Sequence, residues 1–512
     1  MLGEQAKCRA LGRMGAYALA WALFSAGCGS TVPLSERALS GNGLQPGQSS
    51  GADTGVSAPG DDRATTVGST AGGGSAQSPA VASSGPRSGS LPVGVPGSSG
   101  VTPASGGKLA PVQVGVMLFP DLSAFANKFG ASADTGDQSL EVDTVVAWIN
   151  KHGGAAGHRI DVVKHNVSLT SNETYDQLAQ EACEDFTVDH HVVAVITPST
   201  TVSNNFAACL QKHGVLYISS GLWVHDLADF TKYPNMYGPS ETDARGVGQA
   251  MVDVVLSRHL AMRGGAVGLM VEDEPGGVRT ADNIVTPQLN AAGIKVVEYT
   301  VPAPASTADV SNSVAAIDNA ELKMASQGIK TVLFLCQGCL TFFANNADSQ
   351  RYYPAYVGST YDAPATVSGT NYDRIMKSAI MVGFEPDRDV GLYTHPRELP
   401  DNPTRKLCHS IMKPSGQATG DLSEFSTQIM CDGFLQVMYS AQLNPANPLT
   451  GPAVQVGMGR LGTKYPSSLN FSTLLAPSHH GGETSYRWMH WDMSTHVFAY
   501  DGPTRYPFRL PS

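Results

Sequence analysis

The stretch that decides the fold is Val192–Gly221, VVAVITPSTTVSNNFAACLQKHGVLYISSG. It contains two short apolar runs, VVAVI and VLYIS, and between them a segment over Ser203–His213 that is typical of an amphipathic helix. Strand, loop, helix and strand in this order are the unit of a parallel α/β sheet. Because both runs are almost continuously apolar, they are typical of strands in a sheet that is covered on both faces.

Polar loops follow both strands, TPSTT over Thr197–Thr201 and SSG over Ser219–Gly221. In open α/β sheets, ligands bind outside the carboxyl ends of the strands, where hydroxyl groups, backbone N–H groups and a helix N-terminus suit a small polar ligand. The alternative is that these residues only turn the chain and cap the helix. Two such loops in succession favour a binding site.

The alternation of strand and helix continues from this stretch in both directions. On the N-terminal side the sequence predicts these elements: strand Val112–Leu118, a long loop over Phe119–Asp137, helix Leu140–Lys151, strand Ile160–Val163 and helix Thr174–Phe186. On the C-terminal side, after a crossing segment at Tyr237–Gly238, it predicts these: helix Glu241–His259, strand Ala266–Val271, helix Val278–Ala291, strand Lys295–Val301, helix Val310–Ser326, strand Lys330–Leu335, a helix from about Leu340, strands Tyr356–Ser359 and Ala379–Phe384, helix Ser423–Leu443, and strands Tyr486–Asp492 and His496–Tyr500.

Two consecutive series of this kind predict an α/β protein with two doubly wound, Rossmann-like lobes joined by hinge crossovers. We expect the N-terminal lobe to comprise residues 109–238 and 386–460, and the C-terminal lobe residues 239–385 and 461–512. The chain would then cross between the lobes more than once.

The first 28 residues have the pattern of an export signal. Basic residues precede the apolar run Met14–Phe24, which is too short to span a membrane comfortably as a permanent helix. The next residues, Ser25–Cys28, resemble the bacterial lipoprotein box, which implies that Cys28 is lipidated and anchors the chain to a membrane. That box usually has an aliphatic residue where Ser25 stands, so cleavage as an ordinary signal, with a free cysteine nearby, is the alternative.

The amino-acid composition of the segment after Cys28 differs from that of the part predicted to fold. Residues 29–108 are dominated by Gly, Ser, Pro, Thr and Ala, and cannot bury enough apolar surface to offset chain entropy. We predict a disordered, flexible tether there. The whole chain has a formal net charge of −11, which argues against a nucleic-acid partner. Together these features predict an extracytoplasmic protein, lipid-anchored at the outer face of the bacterial cytoplasmic membrane.

The plan from about residue 111 to residue 500 resembles the type I periplasmic binding proteins. The most similar branch is the leucine/isoleucine/valine-binding receptors of ABC transporters. The resemblance rests on these blocks in order: VQVGVMLFPDLSAF, HGGAAGHRIDVV, AVITPSTT, GVLYISSG, YGPSETDARGVGQAM, TVLFLCQGC and YVGSTYD. It implies a receptor that closes on a small polar, amino-acid- or amide-like ligand and delivers it to an ABC permease, with no cofactor and no catalysis.

The resemblance also implies a set of ligand-binding residues at the strand ends of both lobes. They are Phe125, Ser199, Thr200, Thr201, Ser220, Gly221 and Trp223 in the first lobe, Asp273, Glu274, Tyr361 and Asp362 in the second, and Phe425 along one wall. Trp223 and Tyr361 would stack on an apolar or planar part of the ligand, while Asp362 and the hydroxyl groups would form hydrogen bonds. The alternative for Phe125 and Trp223 is ordinary packing, and for Asp273 and Glu274 a solvated loop.

Departures from the amino-acid receptors concern the polar contacts. Those receptors use a hydroxyl group near the position that Trp223 occupies, and they hold the ligand's ammonium group with an acid just after a late strand. In this sequence the position nearest to that of the acid is occupied by Thr360, and Asp362 lies two residues further on. A branched-chain amino acid is therefore not the predicted ligand.

Six cysteines remain after Cys8 and Cys28 are set aside, and they fit an oxidising compartment. Cys336 and Cys339 have the spacing of a thioredoxin-type redox pair, but the resemblance to a secreted receptor favours a structural disulfide. On the same resemblance, Cys183–Cys209 would join neighbouring helices and Cys408–Cys431 would fix the late helix. The sequence alone leaves the connectivity open.

Two other sequence patterns are weaker indications of a functional site. Gly457–Gly462 matches the dinucleotide-binding pattern G-x-G-x-x-G, but a short helix precedes it and Pro466 follows, where a strand and a long helix are needed. The histidines at 479, 480 and 490 have no zinc-site spacing, and the sequence shows no nucleophile elbow. We therefore predict no metal, no cofactor and no enzyme. The alternatives are a ligand sensor of the same fold that signals to a membrane partner, and a secreted α/β enzyme.

Overall fold

A computed structural model describes residues 109–128, 135–198, 204–221, 223–390, 401–416 and 421–509. The predicted signal, Cys28 and the tether lie outside these residues, as do Ser199, Thr200 and Thr201. Phe425 belongs to a described helix, but its side chain lies outside the description. Within the described ranges, no helix combines the length and the apolar character that crossing a bilayer requires.

The first sheet has five parallel strands in the order β2-β1-β3-β4-β5. Its strands are β1 (Val112–Leu118), β2 (Ile160–Asn166), β3 (Ala194–Thr197), β4 (Leu216–Ser219) and β5 (Met236–Tyr237). The helices between them are α1 (Leu122–Lys128), α2 (Gln138–Lys151), α3 (Tyr175–Glu184), α4 (Asn204–Lys212) and α5 (Leu227–Lys232). A π-helical turn, Asp185–Asp189, extends α3.

Both faces of this sheet are covered, as its continuous apolar strands predict. The α2 residues Val142 and Ile149 pack with Phe434, from a late helix, on one face. Leu178 of α3 and Phe206 of α4 pack on the other face. Helix starts are fixed locally, for example by a capping box in which Thr174 and Gln177 exchange side-chain and backbone hydrogen bonds.

The second sheet has the order β12-β11-β10-β9-β8-β6-β7, and β13 pairs with β11. Its strands are β6 (Ala266–Glu272), β7 (Lys295–Val301), β8 (Thr331–Leu335), β9 (Ala355–Ser359), β10 (Ile380–Gly383), β11 (Ser485–Asp492), β12 (Val497–Tyr500) and β13 (Tyr506–Pro507). Its helices are α6 (Ala244–Ser257), α7 (Pro275–Thr280), α8 (Thr286–Ala291), α9 (Val310–Ser326), α10 (Cys339–Ser349) and α11 (Asp373–Met376). Strands β7, β6, β8, β9 and β10, neighbours in this order, are parallel. Strand β11 pairs with β10 in the antiparallel sense, and β12 and β13 pair with β11 in the same sense.

The late segments return to the first sheet before β11. They form α12 (Pro386–Asp389), α13 (Pro403–Met412), α14 (Asp421–Leu443) and α15 (Gly451–Met458). Core residues of α13, α14 and α15 pack against the first sheet. We call the first sheet with its helices the first lobe, and the second sheet with its helices the second lobe. The predicted fold class, two α/β lobes of the type I binding-protein fold, is confirmed.

The chain passes between the lobes after β5, after β10 and before β11. Two of these crossings are joined by backbone hydrogen bonds: Gly238 N–H donates to His480 O at 3.0 Å, and Gly482 N–H donates to Gly238 O at 2.9 Å. A Cβ atom at Gly482 would lie 2.2 Å from the Pro239 carbonyl oxygen, so only glycine fits there. The glycines let two crossings lie side by side.

The structure departs from the sequence prediction mainly at short helices. The segment predicted as a long loop, Phe119–Asp137, contains α1. Beyond β10 the sequence predicted the long helix α14 and a short helix before Gly457, which is α15, while α12 and α13 are also present. Helices α12 and α13 have four and ten residues, too few for apolar periodicity to identify them. Gly457 lies inside α15, where a Cβ atom would be 1.8 Å from the Ser440 carbonyl oxygen, so this glycine serves helix packing.

The six cysteines of the folded part lie in the three pairs proposed above. The sulfur atoms are 1.98 Å apart for Cys183–Cys209, 2.09 Å for Cys336–Cys339 and 2.04 Å for Cys408–Cys431. Cys183 is on α3 and Cys209 on α4, so this pair links neighbouring helices of the first lobe. Full oxidation of the six remains a prediction, which thiol counting on unreduced, denatured protein tests.

Candidate functional site

A cavity of about 360 Å³ lies where the carboxyl ends of both sheets meet. The first lobe lines it with Leu122 and Phe125 of α1, Tyr175 of α3 and Trp223 after β4. The second lobe contributes the ends of β6 and β7, the starts of α9 and α10, and the turn that follows β9. This is the place where open α/β sheets bind ligands.

Five of the predicted site residues line this cavity: Phe125, Trp223, Glu274, Tyr361 and Asp362. Three other described residues of the prediction, Ser220, Gly221 and Asp273, are not among its lining residues. Ser199, Thr200, Thr201 and the Phe425 side chain lie outside the description, so their part in the site stays a prediction. The structure therefore brings together about half of the predicted set.

Helix α1 gives the first-lobe wall its apolar surface. The Asp121 carboxylate fixes the start of this helix by accepting hydrogen bonds from the backbone N–H groups of Leu169 (3.0 Å) and Thr170 (2.9 Å). Burial raises the pKa of Asp121, but these hydrogen bonds and those from neighbouring hydroxyl groups outweigh it, so the pKa is below its ordinary value. Phe125, one turn later, consequently has a defined position in the wall.

Trp223 is held by a buried histidine. Its ring stacks on His225 with the centroids 5.9 Å apart, and His225 Nδ1 lies 2.9 Å from Glu241 Oε2. Ser219, at the end of β4, donates to the other Glu241 oxygen at 2.7 Å. Burial lowers the pKa of His225, but the Glu241 carboxylate outweighs it and raises the pKa. An aromatic face is thus anchored to the strand end that the sequence singled out.

Glu272 and Glu274 carry the acidic part of the cavity. Glu272 ends β6 and accepts one hydrogen bond, from Gln337 N–H at 3.2 Å. Burial raises the pKa of Glu272 to about 7, and the neighbouring Glu274 charge adds to the rise. Burial also raises the pKa of Glu274, although His225 opposes it. The sequence prediction ended this strand at Val271 and assigned Asp273 and Glu274, but not Glu272, to the site.

Asp362 and Tyr361 line the cavity and also make contacts inside the second lobe. The Asp362 carboxylate accepts from Leu340 N–H at 3.0 Å and from Ser359 N–H at 3.2 Å, so it supports the N-terminus of α10. Tyr361 is 1% exposed and packs edge-on against Phe384 with ring centroids 5.3 Å apart. Their contacts with a ligand stay a prediction.

The SSG loop contacts the hinge instead of the cavity. Arg388 of α12 donates to the Ser220 carbonyl oxygen at 2.5 Å, and its guanidinium lies 3.0 Å from Glu385. Burial lowers the pKa of Arg388, while the surrounding carboxylates oppose the change. The only sequence signal for this arrangement is the run of charged residues in FEPDRD, which directly follows β10.

On one side of the cavity, which we call the ionic rim, Arg279 of α7 joins the lobes. Its guanidinium donates to both Asp226 oxygens at 2.8 and 2.7 Å, and to Asp229 at 2.7 Å. The rim also includes Gly276, where a Cβ atom would lie 2.0 Å from the Val224 carbonyl oxygen. Here a helix of the second lobe therefore touches the backbone of the first.

On another side, which we call the backbone rim, main-chain groups join the lobes. Tyr175 N–H donates to Ala305 O at 2.8 Å, and the Thr307 hydroxyl donates to Leu169 O at 2.5 Å. An isolated β-bridge between Thr174 and Ser306 lies beside them. Both lobes therefore contact each other around the cavity, so a molecule inside it would touch both.

Two of the three histidines that the sequence raised as metal candidates, His480 and His490, have other partners. His480 stacks on Tyr237 with centroids 4.0 Å apart and lies within hydrogen-bond distance of Met236 O. His490 pairs with Asp501 at 2.5 Å. Across the residues that the structure describes, no three potential ligands are grouped so that they could hold a metal ion.

Residues 112–363 match the family model described as periplasmic binding protein. A fatty acid ABC transporter substrate-binding protein from Thermomonospora curvata is 14% identical, with a TM-score of 0.55 over 78% of this chain and 93% of that chain. A solute binding protein from Rhodopseudomonas palustris, in complex with 3,4-dihydroxy benzoic acid, is 12% identical, with a TM-score of 0.54 over 78% and 98%.

A branched chain amino acid ABC transporter protein from Thermus thermophilus, with bound valine, is also 12% identical, with a TM-score of 0.54 over 78% and 98% of the two chains. No curated protein matches the sequence. At these identities the structural likeness shows the fold, and the bound molecules belong to those proteins alone.

Proposed function

We propose that this chain, which belongs to the periplasmic binding proteins and has their type I fold, captures a small molecule between its lobes for an ABC importer. The observation that carries the proposal is the cavity of about 360 Å³ at the strand ends of both sheets. Binding sites for small molecules typically measure about 300–1,000 Å³ and are mostly apolar with a few polar groups. The family is one of binding proteins, so we interpret the cavity as a binding site.

The walls favour a ligand with an apolar or planar part and a polar end. Phe125 and Trp223 give the first-lobe wall aromatic surface, and Glu272 and Glu274 give the second-lobe wall its polar groups. A ligand that touches both walls favours the closed arrangement by its differential affinity for that state.

A screen followed by calorimetry tests the proposal. Purified protein is unfolded, refolded to remove any co-purified molecule, and screened against a metabolite panel by melting temperature. For the compound found, Trp223→Ala should weaken binding roughly tenfold, because an aromatic contact contributes about 0.5–1.5 kcal/mol beyond the area it buries. Trp148→Ala is the matched control, since Trp148 lies on α2 outside the cavity lining. Conversion of the compound to a product, or equal affinity in both variants, would contradict the proposal.

We also propose that the chain is exported and held at the membrane through Cys28. Support comes from the basic start, the apolar run and the AGC ending at Cys28. Cys28→Ala should leave the membrane fraction or remain unprocessed, as fractionation and mass determination of the mature N-terminus would show. Cleavage of the wild-type chain at another position, with release into the soluble fraction, would remove the anchor from the proposal.

A further inference from the structure

Among the residues that the structure describes, the charges that line the cavity have one sign. The described lining residues include the carboxylates of Glu272, Glu274 and Asp362, and none of them is Lys, Arg or His. Asp362 uses its carboxylate to accept two backbone hydrogen bonds within the second lobe. Glu272 accepts a single hydrogen bond, and the Glu274 side chain forms none with the N–H groups of the helix that it precedes.

Aromatic rings line the same cavity as these carboxylates. Phe125, Tyr175 and Trp223 line the cavity from the first lobe, and Phe342 of α10 lines it from the second. The face of an aromatic ring carries a negative potential that attracts a cation within about 6 Å of its centre. Carboxylates and ring faces therefore act on a ligand in the same sense, and both favour positive charge.

Since an opposite charge stabilises carboxylates in a site of low dielectric, the ligand that fits best is one that supplies a positive charge. Building on the proposed function, we propose that the chain binds an organic cation: a protonated or quaternary amine on an apolar body. The amine would lie against Glu272 and Glu274, and the apolar body would occupy the aromatic part of the cavity. An anionic group would meet like charges in a site of low dielectric and be excluded.

Three probes of matched size separate charge from shape: 2-phenylethylamine, 2-phenylethanol and 3-phenylpropionate. Calorimetry on the full chain at pH 8 should detect the amine, find the alcohol at least roughly tenfold weaker, and find no binding of the carboxylate. Binding of the alcohol or the carboxylate as tightly as the amine would overturn the inference.

If none of the three probes binds, the charge of the compound from the metabolite screen decides. A cation from that screen supports the inference, and a neutral or anionic compound refutes it while the proposed function stands. Failure of every compound in both sets would refute the proposed function itself.

Variants test whether the two carboxylates are responsible. Glu272→Gln and Glu274→Gln should each weaken amine binding roughly tenfold, and the double variant should gain measurable affinity for 3-phenylpropionate. Glu298→Gln, on an exposed position of β7, is the matched control and should bind the amine as the wild type does. General damage to the site would weaken the binding of all three probes. A gain of affinity for the carboxylate together with a loss for the amine therefore cannot result from such damage. Unchanged amine affinity in both single variants would contradict the assignment.

Discussion

The two rims of the cavity join the same lobes by different means. The ionic rim depends on one side chain, Arg279, which bonds two acidic residues of the first lobe, and on the absence of a side chain at Gly276. The backbone rim depends on main-chain carbonyl groups, one N–H group and one hydroxyl group. Single substitutions can therefore change the free energy that the ionic rim contributes to closure. At the backbone rim most contacts are made by main-chain groups, which a substitution does not remove.

The largest expected effect comes from filling the space at Gly276. In Gly276→Ala the new Cβ would lie 2.0 Å from Val224 O, a backbone atom that cannot move aside easily. Overpacking of this kind costs about 1–3 kcal/mol, so ligand affinity should fall by up to roughly a hundredfold, and scattering should show a larger radius of gyration than the wild type.

The neighbouring glycine supplies the control for that experiment. A Cβ atom at Gly277 would meet its nearest neighbours at 3.5 Å, an ordinary contact, so Gly277→Ala should change affinity little. If the Ala variants at both positions behave alike, helix propensity rather than contact between the lobes accounts for the result.

Removal of the Arg279 charge should have the next largest effect. Arg279→Met leaves Asp226 and Asp229, whose side chains are 5% and 8% exposed, without their partner in the closed arrangement. Breaking a fully buried pair costs about 3–5 kcal/mol, but Arg279 is partly exposed, so we expect about 2 kcal/mol and roughly thirtyfold weaker binding. Arg258→Met removes an ion pair to Asp501 within the second lobe and should not weaken binding.

The pH dependence should differ between the rim and the cavity. The pKa of Asp226 is lowered because the Arg279 hydrogen bonds outweigh burial, so the ionic rim keeps its contribution above about pH 4 and loses it only as the pH falls through that lowered pKa. The pKa of Glu272 is about 7, so the affinity for 2-phenylethylamine should rise roughly tenfold from pH 6 to pH 8 and then level off.

Other groups near these glutamates also bear on the titration. His225, Asp229 and Asp273 act on Glu274 electrostatically, and Glu274 acts on Glu272. Glu272→Gln isolates the contribution of Glu272, since it should flatten most of the rise between pH 6 and pH 8. An equally steep rise in that variant would assign the titration to one of the neighbours.

The smallest expected effect concerns the backbone rim. Thr307→Val removes the hydroxyl group that bonds Leu169 O and keeps the shape of the side chain. Loss of one partly exposed hydrogen bond should weaken ligand binding about threefold. Thr307→Ser keeps the hydroxyl group and should match the wild type; a Val variant that loses as much affinity as Arg279→Met would show that the two rims are not different in kind.

The sequence was sufficient for the family and for the fold class, because both depend on repeated patterns. Apolar runs and helical spacing locate every strand from β1 to β10 within a few residues except the two-residue β5, and each strand end marks a place where a ligand loop can lie. Short helices such as α1 and α12 escape because they contain too few turns for a pattern to emerge.

The site was only partly predictable, since position along the chain does not fix side-chain direction. Asp362 follows a strand end as expected, but the Ser359 cap turns the segment so that its carboxylate faces Leu340 N–H. Glu272 directly follows the predicted strand Ala266–Val271 but was not assigned to the site, and the Arg279–Asp226 contact joins residues 53 positions apart in sequence. Contacts between lobes of this kind leave no local pattern.

The glycine contact between the two crossings has a mechanical consequence. Gly238 and Gly482 put backbone against backbone, so this point can act as a pivot, and the rings of His480 and Tyr237 stack directly beside it. Turning about such a pivot reorients a few peptide groups and slides one of these rings over the other. The work needed to open the molecule should therefore be divided between the rims and this stacked pair.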